Sequence, residues 1–387
     1  MATTFLEPGG DADFVNPTTT NGFWTTVIVT PSVVSDFVHG RHQRSIKYRA
    51  NFNDSVRRAG ILTDAGSRVS FYIYIVTLPS ATTNIIWMAD DAVTNGVEIR
   101  LSSSGRLVLA RFDTDAQIGA TGIATLITSR WYRISIAYTI TSNTVNRFEV
   151  FVDGVSDISV TDATIATGAV NTSTISIGNS NDDGFLDFRS SDHYVDNSSS
   201  LTDTGDIWVT AKRSVSNGTT NGFTTQVGAS GSGYGSGHSP QVNERALSTT
   251  NGWSMVGAGS AVTEEYNIET KSKGDIGIVG SIVDYVGWVS TKALVGETIN
   301  IILNGVNFSQ AITSTITLYT KVAGSTSYPS GSGADIGITT DTSLTTVSLY
   351  ECGVIVAFIP TSVQGTVGNY GRHVTVGAGG SRNERAT

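Results

Sequence analysis

The sequence predicts an all-β protein built as two successive antiparallel sandwiches. Three observations carry that prediction. Short runs of alternating apolar and polar residues recur through most of the 387 residues, the period of a half-buried strand. The 42 glycines, with abundant Ser, Thr, Asn and Asp, separate those runs as turn residues do. Long stretches of Ala, Leu, Glu and Lys are absent, so little of the chain favours helix.

Taken in order, residues 1–15 read as an irregular arm, and 23–29 as the first strand. Residues 31–44 are ambiguous. Val33, Val34, Phe37 and Val38 fall near helical spacing, but Pro31 and Gly40 limit any helix. Residues 45–50, 68–75, 84–89, 96–101 and 106–111 all read as strands. In 131–138 the residues Ile134, Ile136 and Tyr138 share a face, as do Phe148, Val150 and Val152 in 147–152. Asp153-Gly154 is a type I′ turn pair and predicts a tight hairpin after Val152. Ile175-Ser176-Ile177-Gly178 and Gly184-Phe185-Leu186-Asp187-Phe188-Arg189 complete the first set.

This order resembles the concanavalin A-like, laminin-G-like jelly roll. An aromatic-led strand at Trp131, a strand closing on Val-Asp-Gly, an Ile-x-Ile-Gly strand and a Gly-aromatic-x-Asp strand occur in that family's order. The Ser-Phe-x-Ile, Ile-x-Trp, Val-Glu-Ile-Arg-Leu and Gly-Arg-Leu series over 70–107 resembles its front half. The resemblance covers about residues 65–195, and implies a jelly roll over 16–205. It implies a fold and no particular reaction.

The polar run 192–205 reads as a domain boundary. A second β-sandwich is expected over 206–363, with roughly eight strands in about 150 residues. Asn304-Gly305 turns one of its hairpins. Residues 229–237 are Gly/Ser-rich and read as a flexible loop, and 364–387 as an exposed tail. Thr-Thr-Asn-Gly-aromatic recurs at 19–23, 219–223 and 249–253 and reads as a turn into a strand.

The net charge of −9 and the lack of any basic cluster beyond Arg57-Arg58 argue against nucleic-acid binding. The single cysteine, Cys352, lies in an apolar strand and reads as a buried structural thiol. No intramolecular disulfide can form. No signal-peptide pattern and no apolar run of bilayer-spanning length is present, so assembly in the cytoplasm without membrane insertion is expected.

Catalytic patterns are missing. The Glu-x-Asp-x-x-Glu set of the glucanase branch does not occur. The acidic pairs Asp90-Asp91, Asp182-Asp183 and Glu264-Glu265 are adjacent, so on a strand their members point to opposite faces. His39 and His42 lack a third ligand for zinc, and the histidines read as surface residues. Calcium suits the oxygen donors Asp90, Asp91, Asn181, Asp182 and Asp183, if their two loops meet at the sheet rim. For carbohydrate, His193, Tyr194 and Asn197, read as a loop, and Tyr234 in the Gly/Ser loop are the candidates, while Trp24, Trp87 and Trp131 read as core.

The pattern of 206–213, 219–228, 238–245, 249–253 and 349–360 resembles structural proteins of tailed-phage virions. That resemblance implies a non-enzymatic capsid or tail surface protein: a decoration, fibre-like or adhesin component with a lectin-like domain for host glycans. Its partners would be other virion proteins and copies of itself, a trimer being favoured. The alternatives are a free carbohydrate-binding lectin and a glycan-active enzyme.

Overall fold

A computed structural model describes residues 3–7, 24–28, 31–37, 39, 45–49, 54–90, 95–142, 146–161, 172–179, 185–227, 252–255, 260–271, 278, 280–294, 296–328, 335–341 and 346–361. Among them all regular structure is β, as the alternation predicts, and pairing between strands is antiparallel throughout.

The first fourteen strands are β1 (Thr3–Glu7), β2 (Thr26–Ile28), β3 (Ser32–Val34), β4 (Ser45–Tyr48), β5 (Ser55–Arg58), β6 (Ser67–Thr77), β7 (Thr83–Ala89), β8 (Gly96–Leu101), β9 (Leu107–Arg111), β10 (Trp131–Ile140), β11 (Asn146–Val152), β12 (Val155–Val160), β13 (Thr174–Gly178) and β14 (Asp187–Asp196). They form two sheets. An eight-stranded sheet runs β12-β11-β10-β6-β14-β4-β3, with β1 also on β14, and a six-stranded sheet runs β2-β5-β13-β7-β8-β9. Non-consecutive neighbours dominate both sheets, as in a sandwich whose strands alternate between layers.

Alternation decides which residues glue the layers. Ile134, Ile136 and Tyr138 of β10 pair with Val152, Val150 and Phe148 of β11, and all six are buried in one core cluster. Val69, Phe71, Ile73 and Ile75 from β6 join them, as do Ile86, Met88, Val97, Ile99, Ile175 and Ile177 from the six-stranded sheet. The expected Asp153-Gly154 hairpin forms, with both residues at positive φ (50° and 84°), the backbone of a type I′ turn.

Two expectations change here. Residues 3–7 are not an irregular arm: they pair with the second half of β14. The ambiguous stretch after Pro31 begins as a strand, with residues 32–34 on β4, because the two-residue apolar run Val33-Val34 before a bend is too short to nucleate a helix.

The second set comprises β15 (Trp208–Asn221), β16 (Thr225–Val227), β17 (Gly252–Met255), β18 (Thr263–Ile268), β19 (Gly280–Ala293), β20 (Glu297–Leu303), β21 (Val306–Ile312), β22 (Thr317–Val322), β23 (Ile336–Thr340) and β24 (Val347–Pro360). β15 pairs with β24 along its first half and with β18 along its second, so one long strand passes from one layer to the next. Asn304-Gly305 closes the β20–β21 hairpin at φ 49° and 76°.

The layer formed by β15, β19 and β24 is apolar on both faces. Tyr285, Val289, Val354, Val356 and Phe358 pack toward β20 and β23 in one cluster. Val209, Ala211, Val286, Trp288, Ile355 and Ala357 belong to the same cluster as the core of the first sandwich. The two sandwiches therefore share apolar surface, and β24 reads as a nearly continuous buried run because neither face meets water. Cys352 is fully buried there and its thiol is pushed well up by that burial, as the structural reading expects.

Candidate functional site

The outward face of the eight-stranded sheet carries the site. In β6, residues 69, 71, 73 and 75 face the core, so Arg68, Ser70, Tyr72 and Tyr74 point the other way. The register sets Trp131, Tyr74, Arg189, Lys47 and Ser32 side by side across β10, β6, β14, β4 and β3. Residues 35–37 follow β3 and fold onto this row.

Phe37 stacks on Tyr74 with ring centroids 4.5 Å apart and planes 17° from parallel, and Tyr74 leans on Trp131 at 5.5 Å. Phe37 and Trp131 keep part of their surface in solvent. Arg189 fixes the arrangement. Its Nε and Nη2 donate to Asp36 at 3.1 and 2.6 Å, Nη1 donates to Asp187, and the guanidinium lies 5.6 Å from the Phe37 ring. Burial opposes ionisation of Asp36, but the Arg189 hydrogen bonds and charge outweigh it and hold the carboxyl below its ordinary 3.8. An open groove of about 470 Å³ begins beside this ledge, lined by Val33, Val34, Ser35 and Asp36. Aromatic faces next to fixed planar polar groups suit a ligand with an apolar face and hydroxyl edges.

Behind the ledge lies a buried polar knot. The β14 register shifts between Ser191 and Tyr194, and Asp192 sits at φ 54°. This bulge re-aims the Asp192 carboxylate. It accepts from His39 Nδ1 at 2.7 Å, from Ser191 Oγ at 3.0 Å and from the Val209 amide at 2.7 Å. The His39 ring stacks on Tyr72 at 3.7 Å, with Trp131 and Trp208 edge-on at 5.3 Å each. The Tyr72 hydroxyl donates to Asp206; burial first, then that carboxylate, pushes the phenol well up, so it stays a donor. Arg133 holds Asp203 with two hydrogen bonds of 2.6 and 2.8 Å. Within the run 192–205, read as a domain boundary, and just after it, Asp203, Thr204 and Asp206 form a strap bonded to the first sandwich.

Several sequence expectations are corrected here. His39 is not a surface residue: it is 0 % exposed. His193 and Tyr194 are not on a loop: both lie in β14, each 2 % exposed. His193 Nε2 lies 2.9 Å from Ser190 Oγ, and the Tyr194 hydroxyl donates to Asp196 at 2.9 Å. Asn197 accepts from Ser67 Oγ at 3.1 Å. Trp24 packs in the core as expected, whereas Trp87 is buried on the opposite face of its sheet and Trp131 is half-exposed.

Of the calcium candidates, Asp90 binds its own turn, accepting from the Asn95 amide at 3.3 Å and from Asn95 Nδ2 at 3.0 Å. Asp91, Asn181, Asp182 and Asp183 lie outside the described residues, as do His42 and Tyr234. Ala89 pairs with Thr174 while Gly178 ends the same strand. Asp90 and Asn179, the residues that follow Ala89 and Gly178, therefore lie beyond opposite ends of β13. Among the described residues no group of three or more His, Cys, Asp or Glu is placed to hold a metal. The acidic pair on β18 does split as expected: Glu264 is buried and Glu265 half-exposed.

No protein-family model matches the chain, and no curated protein matches it. Solved structures match it in part. An endo-β-1,4-glucuronan lyase from Trichoderma reesei is 12% identical over 52% of this chain and 98% of its own, with a TM-score of 0.39. Domain 4 of the arabinanase AbnA from Geobacillus stearothermophilus, in complex with arabinotriose, is 14% identical over 51% and 94%, at 0.34. The carbohydrate-binding module CBM66 from Bacillus subtilis is 10% identical over 46% and 97%, at 0.30. Likeness at this level carries no argument about activity; the all-β fold rests on the strand pairing of this chain.

Proposed function

We propose that the chain is a non-catalytic glycan-binding protein whose recognition surface is the Phe37–Tyr74–Trp131 ledge, carried on the capsid or tail surface of a virion. The observation that carries the binding reading is the half-exposed aromatic stack, pinned by Arg189 and opening onto the groove at Asp36. A sugar's C–H face would lie on Phe37, with its hydroxyls reaching Asp36 and Ser35. Support for a non-catalytic role comes from the same geometry. Asp36 and Asp187 are both tied to Arg189, which leaves neither free to exchange protons with a substrate. The display reading rests on the resemblance of 206–213, 219–228, 238–245, 249–253 and 349–360 to structural proteins of tailed-phage virions.

A glycan array followed by calorimetry tests the binding reading, run with added calcium and with chelator. Phe37→Ala removes the half-exposed ring without opening the core, so the fold should persist and affinity should fall at least about tenfold, equivalent to ~1.4 kcal/mol. Unchanged affinity in that variant, or no glycan retained by the wild type, defeats the ledge. Light scattering and co-sedimentation with tailed-phage particles test the virion reading. A stable trimer that sediments with particles is expected; a monomer that stays in the supernatant counts against it.

A further inference from the structure

The outward face of the six-stranded sheet differs from the ledge. Register sets Arg57, Ser176, Trp87 and Glu98 in one row across β5, β13, β7 and β8. Their chain neighbours Val56, Ile175, Ile177, Ile86, Met88, Val97 and Ile99 fill the sandwich core, so this row points away from it. The Arg57 guanidinium carbon lies 4.6 Å from the centre of the Trp87 ring.

Two donors in that row have no acceptor among the described residues. Trp87 is 2 % exposed and its indole N–H is buried without a hydrogen-bond partner. The Arg57 Nε is likewise buried and unsatisfied. Among the described residues no carboxylate faces Arg57, and desolvation by burial draws its pKa down. Arg68, Arg133 and Arg189 on the other sheet are each ion-paired. A buried N–H without an acceptor costs about 1–3 kcal/mol, and the Trp87 indole and the Arg57 Nε each carry that cost. Both costs are relieved by one kind of guest, an anion with planar acceptor oxygens.

We propose that Arg57 and Trp87 form a binding site for an organic carboxylate, the guanidinium taking the carboxylate oxygens and the indole N–H a further oxygen of the same ligand. The preference for carboxylate over a point-like anion follows from the guanidinium's planar fork. Arg57 is only partly buried, so a ligand reaches it from solvent without parting the sheets. The acid in this row does not compete. Glu98 is ion-paired with Arg100, and burial raises its carboxyl to about 7, so it is mostly neutral in mildly acidic buffer. The site lies on the opposite sheet from the ledge and does not depend on it.

The test uses the full chain at pH 6, titrated separately with D-glucuronate, acetate, D-glucose and inorganic phosphate. The indole N–H resonance of Trp87 and calorimetry are the readouts. Glucuronate should shift that resonance and bind in the millimolar range or tighter, and glucose should do neither. Acetate binding as well would show that a free carboxylate suffices; glucuronate alone would show that the sugar ring contributes. Arg57→Gln should weaken glucuronate at least about tenfold while melting as a folded protein, and Trp87→Phe, which keeps the ring and loses the donor, should weaken it several-fold. Phe37→Ala should bind glucuronate like the wild type, which separates this site from the ledge. Phosphate binding as tightly as glucuronate, no carboxylate binding by the wild type, or a folded Arg57→Gln variant with unchanged affinity would each overturn the assignment.

Discussion

The two outward faces of the first sandwich use the same residue types to opposite ends. On the eight-stranded sheet Arg68, Arg133 and Arg189 each meet a carboxylate, and Tyr72 and Trp208 share Asp206. On the six-stranded sheet Arg57 and the Trp87 indole meet none. A saturated polar network rigidifies what it joins, whereas unsatisfied donors mark a place where a partner completes the set. The first face therefore spends most of its charge on ion pairs, and the second, where Arg100 too is ion-paired, keeps the Arg57 and Trp87 donors in reserve.

The comparison breaks most visibly at Asp192. Its carboxylate has no exposed surface and serves His39, Ser191 and the first strand of the second domain at once. Asp192→Ala leaves those donors buried without their acceptor. Removing one partner of such a buried set costs ~3–5 kcal/mol. Chemical denaturation should show a loss of that size, and if the knot joins the two sandwiches the transition should also broaden or split. A loss under about 1 kcal/mol, within the range of an ordinary surface substitution, would mean the knot is incidental.

Glu98 gives the next effect, and its sign is opposite to that of a salt-bridged acid. Its carboxyl rises from an ordinary 4.5 to about 7, through burial first, offset in part by Arg100. The folded state then keeps its proton over a range where the unfolded chain has lost it. Stability from this group is full below about pH 4.5, declines as pH rises, and is gone above about 7. The span corresponds to a loss on the order of 3 kcal/mol. Wild-type stability measured from pH 4.5 to 8 should show that decline, and Glu98→Gln should flatten it. Equal slopes in the two proteins would place the titration elsewhere.

What the sequence disclosed follows the same divide. Alternation in 131–138 and 147–152 exposed the core because only one face of those strands is apolar. Asp153-Gly154 and Asn304-Gly305 announced their hairpins because few other pairs tolerate two positive φ angles. The run Arg-Ser-Ser-Asp-His-Tyr hid the second half of β14, since its bulge interrupts the period and its polar residues are buried against the strap rather than wet. His39 looked like a surface residue because its partner Asp192 is 153 positions away, a distance no local pattern reports. The ledge was missed for the same reason, although one signal was present. The Ser-Phe-Tyr-Ile-Tyr stretch puts aromatics on both faces of β6, and a strand exposed on one side has no use for Tyr72 and Tyr74 there.

The smallest effect tests whether the strap holds the domains or merely lies against them. Arg133 donates twice to Asp203, and Ser135 and Thr204 approach within 3.3 Å beside them. Burial disfavours the charged Asp203, yet the Arg133 hydrogen bonds and charge prevail and hold it below 3.8. Its contribution is therefore complete above pH 3.8 and fades as pH falls through the lower folded value. Both side chains retain some exposure (8 % and 20 %), so solvent screening trims the charged hydrogen bonds, and Asp203→Asn should cost only about 1–2 kcal/mol at neutral pH. That difference should shrink in acid, where the wild type loses the same charge. Limited proteolysis supplies the structural readout: cleavage within 198–207 should quicken in Asp203→Asn at pH 7 and differ less from the wild type at pH 3. If cleavage is unchanged at both pH values, the strap is held by its other contacts, those of Asp192, Asp206, Thr202 and Thr204, and the paired face has one redundant ion pair.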